Sequence, residues 1–164
     1  MRTIVQFDES ATSRWAIVND DVMGGRSTSE MEVTSEGTGL FTGFVSLENN
    51  GGFASTRADL GPLDLSGFLG VRVRVRGDGR RYQFRFRTDD SSDWVAYRAL
   101  FETRLGKWVE VELPFQAFEP SFRGRRPQGV APLDPARIRQ LGFLIADKKE
   151  GPFRLEVAWV KAYR

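Results

Sequence analysis

Two segments of the chain, residues 15–27 and 47–55, place amide and carboxylate side chains directly beside a pair of glycines. Two adjacent glycines allow positive φ angles and leave the backbone bare, and Asn or Asp side chains bond either their own turn or a ligand against it. Both segments are therefore predicted to form either tight turns or the edges of a binding site. The candidate side chains are Asn19, Asp20, Asp21, Asn49 and Asn50.

The chemistry of such a site would be polar recognition. If the two loops lie side by side, their amides and carboxylates face a partner, and Arg26 and Arg57 are placed to clamp an acidic group with bidentate hydrogen bonds. Neighbouring aspartates can also hold calcium, but no EF-hand-like spacing is present, and no metal is predicted. Under the structural interpretation, turn formation alone accounts for the same residue types.

A third candidate segment, residues 122–127, contains Arg123 and Arg125 in a loop bounded by glycine and proline, with phenylalanines upstream. Arginine beside aromatic residues is typical of hot spots in protein interfaces. The same composition suits stacking against single-stranded RNA, but no RNA-binding motif accompanies it. The structural alternative is an ordered surface loop held by its phenylalanines.

Composition excludes several classes of function. The 164 residues contain no cysteine and no histidine, which removes thiolate chemistry, the Ser-His-Asp arrangement and the commonest zinc ligands. A carboxylate pair such as Asp20 and Asp21 could in principle hydrolyse a glycosidic bond, but adjacent residues of a strand point to opposite faces. We therefore expect no enzyme and no cofactor. A net charge of +2 gives little support to general nucleic-acid binding.

The elements that must position these residues are strands. Residues 71–76 and 82–87 alternate apolar with basic or polar side chains, and residues 77–79 between them predict a β-hairpin with an arginine-rich face. The sequence contains one candidate for a short helical turn, with Asp134 as its N-cap and Pro135 in its first position. Further strands are predicted at residues 40–47, 94–100, 108–113, 141–146 and 153–160, with Phe153, Leu155, Val157 and Trp159 on one face.

Many short strands with almost no helix predict an all-β fold, an antiparallel β-sandwich of jelly-roll type, as a single domain over residues 1–164. Such a sandwich leaves an outer face free for a ligand. An arginine stripe there is either a solvated strand face, which we favour for Arg72, Arg74 and Arg76, or part of a site. Aromatic residues are either sugar platforms or core. Candidates for the ligand face are Arg72, Arg74, Arg85, Arg87, Trp94 and Tyr97.

Three of the segments above, followed by residues 142–153, resemble in this order the complex I intermediate-associated protein 30 (CIA30) family over nearly the whole chain from Phe7. The resemblance implies a galactose-binding-domain-like jelly roll. It also implies a role without catalysis, since the best-known member of the family is a mitochondrial chaperone for the assembly of respiratory complex I. The motifs lie at residues 15–27, 47–53, 122–125 and 142–153.

The N-terminal sequence shows neither a signal peptide nor a transit peptide, and no apolar run approaches membrane-spanning length. We therefore expect a bacterial-type single-domain member, a cytoplasmic location and no membrane insertion. The expected function is a non-catalytic binding or assembly domain whose partner is a protein, such as a respiratory-complex subunit or an assembly intermediate. The alternative is a carbohydrate-binding module; RNA, linked to the family domain in plastid proteins, is less favoured as a partner.

Overall fold

The computed structural model describes residues 1–8, 14–89 and 95–164, and β-strands are its main regular elements. Short 3-10 turns connect some of them at Asp20–Met23, Glu48–Asn50, Phe115–Ala117 and Pro135–Arg137. In these three ranges no helix is long and apolar enough to cross a membrane. The strands are β1 Arg2–Val5, β2 Trp15–Ile17, β3 Thr28–Val33, β4 Gly39–Val45, β5 Ala54–Leu63, β6 Gly70–Arg76, β7 Arg81–Thr88, β8 Ala96–Glu102, β9 Trp108–Pro114, β10 Glu119–Ser121, β11 Ile138–Ile145 and β12 Gly151–Tyr163.

Within the described ranges, the strands form two antiparallel sheets, which confirms the predicted all-β class. Sheet A has the order β3-β4-β12-β6-β9, with β1 also paired to β12. Sheet B has the order β10-β8-β7-β11-β5-β2. Neighbouring strands are often distant in sequence, so each sheet depends on long-range pairing. The predicted short helical turn is also present, and the Asp134 side chain accepts a hydrogen bond of 3.0 Å from the amide of Ala136.

The core lies between the sheets and is built from the apolar half of each alternating strand. Phe84 and Phe86 of β7 are fully buried and meet edge to face, with ring centroids 4.9 Å apart. Phe84 also meets Phe143 of β11 at 5.4 Å and an interplanar angle of 87°. Edge-to-face aromatic pairs add to the stability that burial provides. This packing fixes β7 and β11, and with them the side chains that point outward from sheet B.

The predicted hairpin between residues 71–76 and 82–87 is wrong, because β6 lies in sheet A and β7 in sheet B. The intervening residues form a corner, where the Asp78 carboxylate accepts hydrogen bonds from the Arg80 amide at 3.0 Å and the Tyr82 hydroxyl at 3.1 Å. Both strands have a fully apolar inner face, which two facing sheets bury better than one ribbon. The arginines of β6 and β7 therefore lie on opposite outer surfaces.

A β-bulge in β12 changes the predicted inner face of that strand. Phe153, Leu155 and Val157 point into the core as predicted, but the register with β6 shifts between Val157 and Trp159. Val160 takes the next buried position, so Trp159 is only half-buried. Because a bulge adds one residue to one strand, the alternation beyond it is inverted. The sequence period alone does not reveal this extra residue.

One buried hydroxyl, the Oγ1 of Thr56 in β5, has no hydrogen-bond partner among the described residues. Thr56→Val keeps the side-chain shape and removes the unsatisfied oxygen, so we expect the free energy of unfolding to rise by about 1 kcal/mol. Urea unfolding measures this change. Thr38→Val is the matched control, because the Thr38 hydroxyl donates a 2.7 Å hydrogen bond to Glu156 and its loss should destabilise the protein. A loss of stability in Thr56→Val would show that the Thr56 hydroxyl is not an unsatisfied group.

Candidate functional site

The outer face of sheet B carries a cleft of about 680 Å³. Its floor consists of outward-facing residues of β5, β7, β8 and β11, and its rim includes parts of the loops before β5, after β10 and after β11. Four arginines stand on this floor, and three of them lie close together: Arg57, Arg85 and Arg98, with Arg87 as the fourth. The rim includes Leu47, Phe122, Arg123 and Lys148, together with the bare backbone of the second Gly-Gly segment.

The three arginines occupy one row across the sheet. Arg57 of β5 and Arg85 of β7 both stand opposite Gly142 of β11, and Arg85 stands directly opposite Arg98 of β8. The spacing between strands places Arg85 about 5 Å from Arg98 and about 10 Å from Arg57, measured between backbones. Gly142 has no room for a side chain, because a Cβ there would lie 2.6 Å from the Thr56 carbonyl oxygen. The middle of the row is therefore open.

The arginines of the row lack acidic partners. In the described parts of the chain no carboxylate lies within ion-pair distance of Arg57, Arg85 or Arg98. Glu119 of β10 is opposite Arg98, but its carboxylate pairs with Arg126 at 3.6 Å. Like charges directly opposite each other destabilise a sheet. Arg85 and Arg98 therefore place two cations together at a cost in stability.

Electrostatics mark Arg85 as the most perturbed cation of the cleft. Burial, followed by repulsion from Arg87, Arg98 and Arg57, lowers the pKa of Arg85 to about 10. Its guanidinium donates to the side-chain oxygen of Gln83 at 3.1 Å, and burial also lowers the pKa of Arg57. Both groups are still cationic at neutral pH. A desolvated cation without a counterion is an arrangement suited to holding an anion.

Sheet A shows the opposite arrangement for an almost identical sequence pattern. Arg72 of β6 pairs with Glu112 of β9, and Arg74 pairs with Glu110 at 3.3 Å. Arg76 donates two hydrogen bonds, of 3.1 and 2.6 Å, to one oxygen of a buried glutamate in β12. These cations are neutralised within the sheet. The arginine stripe of sheet A is therefore a paired strand face, whereas Arg57, Arg85 and Arg98 of sheet B have no acidic partner among the described residues.

The carboxylate of Asp20 joins the two Gly-Gly segments. Its Oδ1 accepts a hydrogen bond of 2.9 Å from the Ser27 amide, and its Oδ2 accepts bonds of 2.6 Å from the Ser27 hydroxyl and 2.7 Å from the Gly52 amide. A Cβ at Gly25 or Gly51 would collide with this carboxylate. Burial raises the pKa of Asp20, but the hydrogen bonds outweigh burial and hold the pKa below 3.8. Asp20 thus positions the rim of the cleft.

Asn19 reinforces the same connection, and the other polar residues of these loops point elsewhere. The side-chain oxygen of Asn19 accepts hydrogen bonds from the Ser29 hydroxyl at 2.8 Å and the Ser55 amide at 3.2 Å. Asp21 and Asn49 are exposed, and Asn49 has a positive φ of 56° that fits a turn. Arg26 makes an exposed ion pair with Glu48 at 3.4 Å. The side chain of Asn50 lies outside the described residues.

The arginine loop after β10 borders the cleft. Phe122 and Arg125 exchange backbone hydrogen bonds of 2.8 and 3.0 Å, which closes a tight turn. Arg123 occupies that turn with a positive φ of 49° and its guanidinium lies over the Phe122 ring. Arg123 lines the main cleft, whereas Arg125 lines a smaller hollow beside it. The structure thus brings Arg57, Arg85 and Arg123 together, and their binding role is still a prediction.

Of the two predicted aromatic platforms, the structure places Tyr97 away from the cleft floor. Tyr97 is 4% exposed, points into the core and donates a 2.8 Å hydrogen bond to the Ala131 carbonyl. Trp94 lies outside the described residues. Sequence reasoning missed Arg98, although its position next to Tyr97 on a strand already placed it on the opposite, outer face. Among all the described residues, no group of three or more acidic side chains could hold a metal ion.

Comparison with known proteins assigns the family. The family model described as complex I intermediate-associated protein 30 (CIA30) matches residues 5–157. The chain belongs to the CIA30 family. It is 31% identical to "Complex I intermediate-associated protein 30, mitochondrial" of Drosophila melanogaster, over 96% of this chain and 62% of that protein. Identity to the Mus musculus protein of the same name is 29%, over 99% and 56%. The chain thus spans about three-fifths of the length of these relatives.

Solved structures support the same fold for this CIA30 family member. A family 11 carbohydrate-binding module of a cellulosomal cellulase from Clostridium thermocellum superposes with a TM-score of 0.69 at 16% identity, covering 92% of this chain and 88% of the module. A family 30 carbohydrate-binding module gives a TM-score of 0.55 at 14% identity, covering 86% and 76%. The predicted jelly-roll sandwich is confirmed. At these identities the likeness concerns the fold alone.

The expected cytoplasmic location is contradicted by the relatives. The Drosophila and mouse proteins carry the word mitochondrial in their names, and so does the protein of Caenorhabditis elegans, which is 25% identical over 91% of this chain. The expectation was based on the absence of a targeting segment at the N-terminus. Since the chain covers only half of the worm relative, its first residues are a poor guide to location.

Proposed function

We propose that the chain is a non-catalytic assembly-factor domain that binds a protein intermediate of complex I through the cleft of sheet B. The observation that carries this proposal is the row of Arg57, Arg85 and Arg98, three cations that lie close together with no carboxylate of the described residues within ion-pair distance. A protein that needed these residues only for its fold would gain stability from pairing them, as the arginines of sheet A are paired. The row is available to an external anionic partner.

The composition of the cleft suits a protein surface. Leu47 and Phe122 on the rim are 44% and 38% exposed, and arginine with aromatic residues is enriched at interface hot spots. The floor is carried by β7 and β11, whose inner faces are fully packed. A rigid floor binds with little loss of conformational entropy. These features support recognition of a partner by a surface that is already formed.

The carbohydrate alternative receives less support from the cleft. Neutral sugars are commonly held on aromatic platforms, and Tyr97 points into the core. The described floor offers guanidinium and amide groups, which suit an anionic ligand better than a neutral glycan. Isothermal titration with a β-1,3-1,4-mixed-linked tetrasaccharide, the ligand in one similar module structure, tests the alternative. Saturable binding would favour carbohydrate recognition over the proposed function.

Deletion and rescue test the proposed function in the cells from which the chain derives. We expect deletion to lower the amount of assembled complex I, measured on blue native gels and as NADH:ubiquinone activity. The wild-type chain and Arg74→Gln, whose arginine belongs to the paired sheet A, should restore it. The double variant Arg85→Gln/Arg98→Gln should not, although it should accumulate to the same level. Unchanged complex I after deletion would contradict the proposal.

A further inference from the structure

We infer that the row of Arg57, Arg85 and Arg98 recognises an acidic peptide segment of the partner protein, with carboxylates at two positions along the row. The inference is based on the proposed function and names the chemistry of the partner at that site. Arg85 and Arg98 are direct cross-strand neighbours and provide one position. Arg57, on the far side of Gly142, provides the second. Each guanidinium can hold a carboxylate with two parallel hydrogen bonds.

The geometry of the row sets the spacing of the carboxylates. The two positions are about 10 Å apart across β5, β11 and β7, a distance that two acidic side chains within one short peptide segment can span. Between them Gly142 presents only backbone, since a Cβ would strike the Thr56 carbonyl oxygen. The segment can therefore approach the floor without meeting a side chain at the centre. A single small anion would fill only one of the two positions.

The surroundings favour a peptide over a polyphosphate. Leu144 of β11 lies on the floor beside the row, and Leu47 and Phe122 stand on opposite parts of the rim. These apolar surfaces match the side chains that accompany acidic residues in a protein segment. The whole chain has a net charge of only +2, so the positive charge is local.

Two rim cations occupy backbone conformations that other residues adopt more readily. Arg123 has a φ of 49° and Lys148 a φ of 63°, and both line the cleft. Glycine or asparagine would fit these left-handed positions at lower cost. The Lys148 loop is fixed by Arg80, whose guanidinium bonds both oxygens of Asp147 at 2.9 and 2.7 Å. Strained cations on a fixed rim extend the positive surface around the row.

Fluorescence polarisation with a fluorescein-labelled octaglutamate peptide tests the inference on the full chain. We expect saturable binding that weakens as the ionic strength rises. Arg57→Gln and Arg85→Gln should each weaken binding by at least about tenfold. Arg74→Gln, the matched control on sheet A, should change the affinity by less than about twofold. Circular dichroism of every variant confirms that a lost signal does not reflect unfolding.

Three outcomes would overturn the inference. They are no binding of octaglutamate, equal binding by the wild type and the two cleft variants, and tighter arginine-dependent binding of single-stranded oligouridine or a heparin tetrasaccharide. The last result would assign the cleft to a nucleic acid or an acidic glycan. Failure here is distinguishable from failure of the proposed function. If complex I still depends on the chain after deletion and rescue, only the acidic chemistry of the partner is wrong.

Discussion

Replacing Asp20 with alanine is expected to lower the free energy of unfolding by about 3 to 5 kcal/mol, a large part of the stability of a domain of this size. The substitution leaves the amides of Ser27, Gly52 and Phe53 without their acceptor, and the Ser27 hydroxyl keeps only its longer bond of 3.3 Å to the Ser46 carbonyl. Buried donors without partners carry the full cost of desolvation. The two Gly-Gly segments should separate, and the rim of the cleft with them.

Urea unfolding followed by circular dichroism measures the effect. Asp21→Ala is the matched control, because Asp21 is the exposed neighbour of Asp20 in the sequence and should change stability by less than about 0.5 kcal/mol. If the alanine variant does not fold, Asp20→Asn, which keeps one acceptor oxygen, takes its place and should still be clearly destabilised. Stability within 1 kcal/mol of the wild type in both variants would show that Asp20 does not join the loops.

The same carboxylate predicts a dependence on pH. Its pKa in the folded protein lies below the ordinary value of 3.8, so ionised Asp20 stabilises the fold. This contribution is fully present above pH 3.8 and is lost as the pH falls through the lower folded-state value. Other carboxylates titrate in the same range, so the informative quantity is the difference between the wild type and Asp20→Asn. That difference should shrink below pH 3.8, and a constant difference would contradict the prediction.

Arg85→Gln is expected to act in the opposite direction on stability, raising the free energy of unfolding while it weakens anion binding. The lowered pKa of about 10 corresponds to roughly 3 kcal/mol, which partial exposure to solvent reduces to about 1 to 3 kcal/mol. Because the guanidinium is charged in both the folded and the unfolded protein at pH 7, this destabilisation of the folded state is present at that pH. Glutamine removes the charge and relieves the repulsion from Arg98 across the strand pair.

Thermal unfolding at pH 7 and low ionic strength measures the expected gain in stability of Arg85→Gln. Arg74→Gln on sheet A is again the control, and it should be neutral or slightly destabilising because it breaks the ion pair with Glu110. Stabilisation of Arg85→Gln together with loss of octaglutamate binding would identify a residue retained for function at the expense of stability. A destabilised Arg85→Gln would show instead that this arginine supports the sheet.

The strand content of the fold could be predicted because period-2 alternation is a local property. It located β6, β7, β9 and β12, whose buried and exposed residues alternate over most of their length. Five strands, β1, β2, β3, β5 and β10, were not predicted. Of these, β2 and β10 have only three residues each, which carry too little pattern. The sequence also did not show which of the two sheets each strand joins. Whether residues 77–79 make a hairpin or a corner depends on which distant strands compete for β6 and β7.

The candidate site was predictable in part, because alternation along one strand can be read from the sequence but the neighbours of that strand in the sheet cannot. The sequence shows arginine stripes on β6 and β7, but not that β9 supplies Glu110 and Glu112 to the first while β8 supplies Arg98 to the second. The charges on these neighbouring strands decide which arginines are neutralised within their sheet. Turn chemistry placed Asp20 among five candidate polar residues of the two Gly-Gly segments without distinguishing it from the others. That its carboxylate would bond Gly52, 32 residues away, required the fold.

Nuclear magnetic resonance of the guanidinium groups tests the central claim most directly, that Arg57, Arg85 and Arg98 of sheet B form an anion site. The side-chain Nε–Hε signals of the 164-residue chain would be assigned by single substitutions and followed while unlabelled octaglutamate is added. We expect the signals of Arg57, Arg85 and Arg98 to shift together and to saturate, while those of Arg72 and Arg74 stay in place. Shifts confined to sheet A, or no shifts at saturating peptide, would contradict the claim.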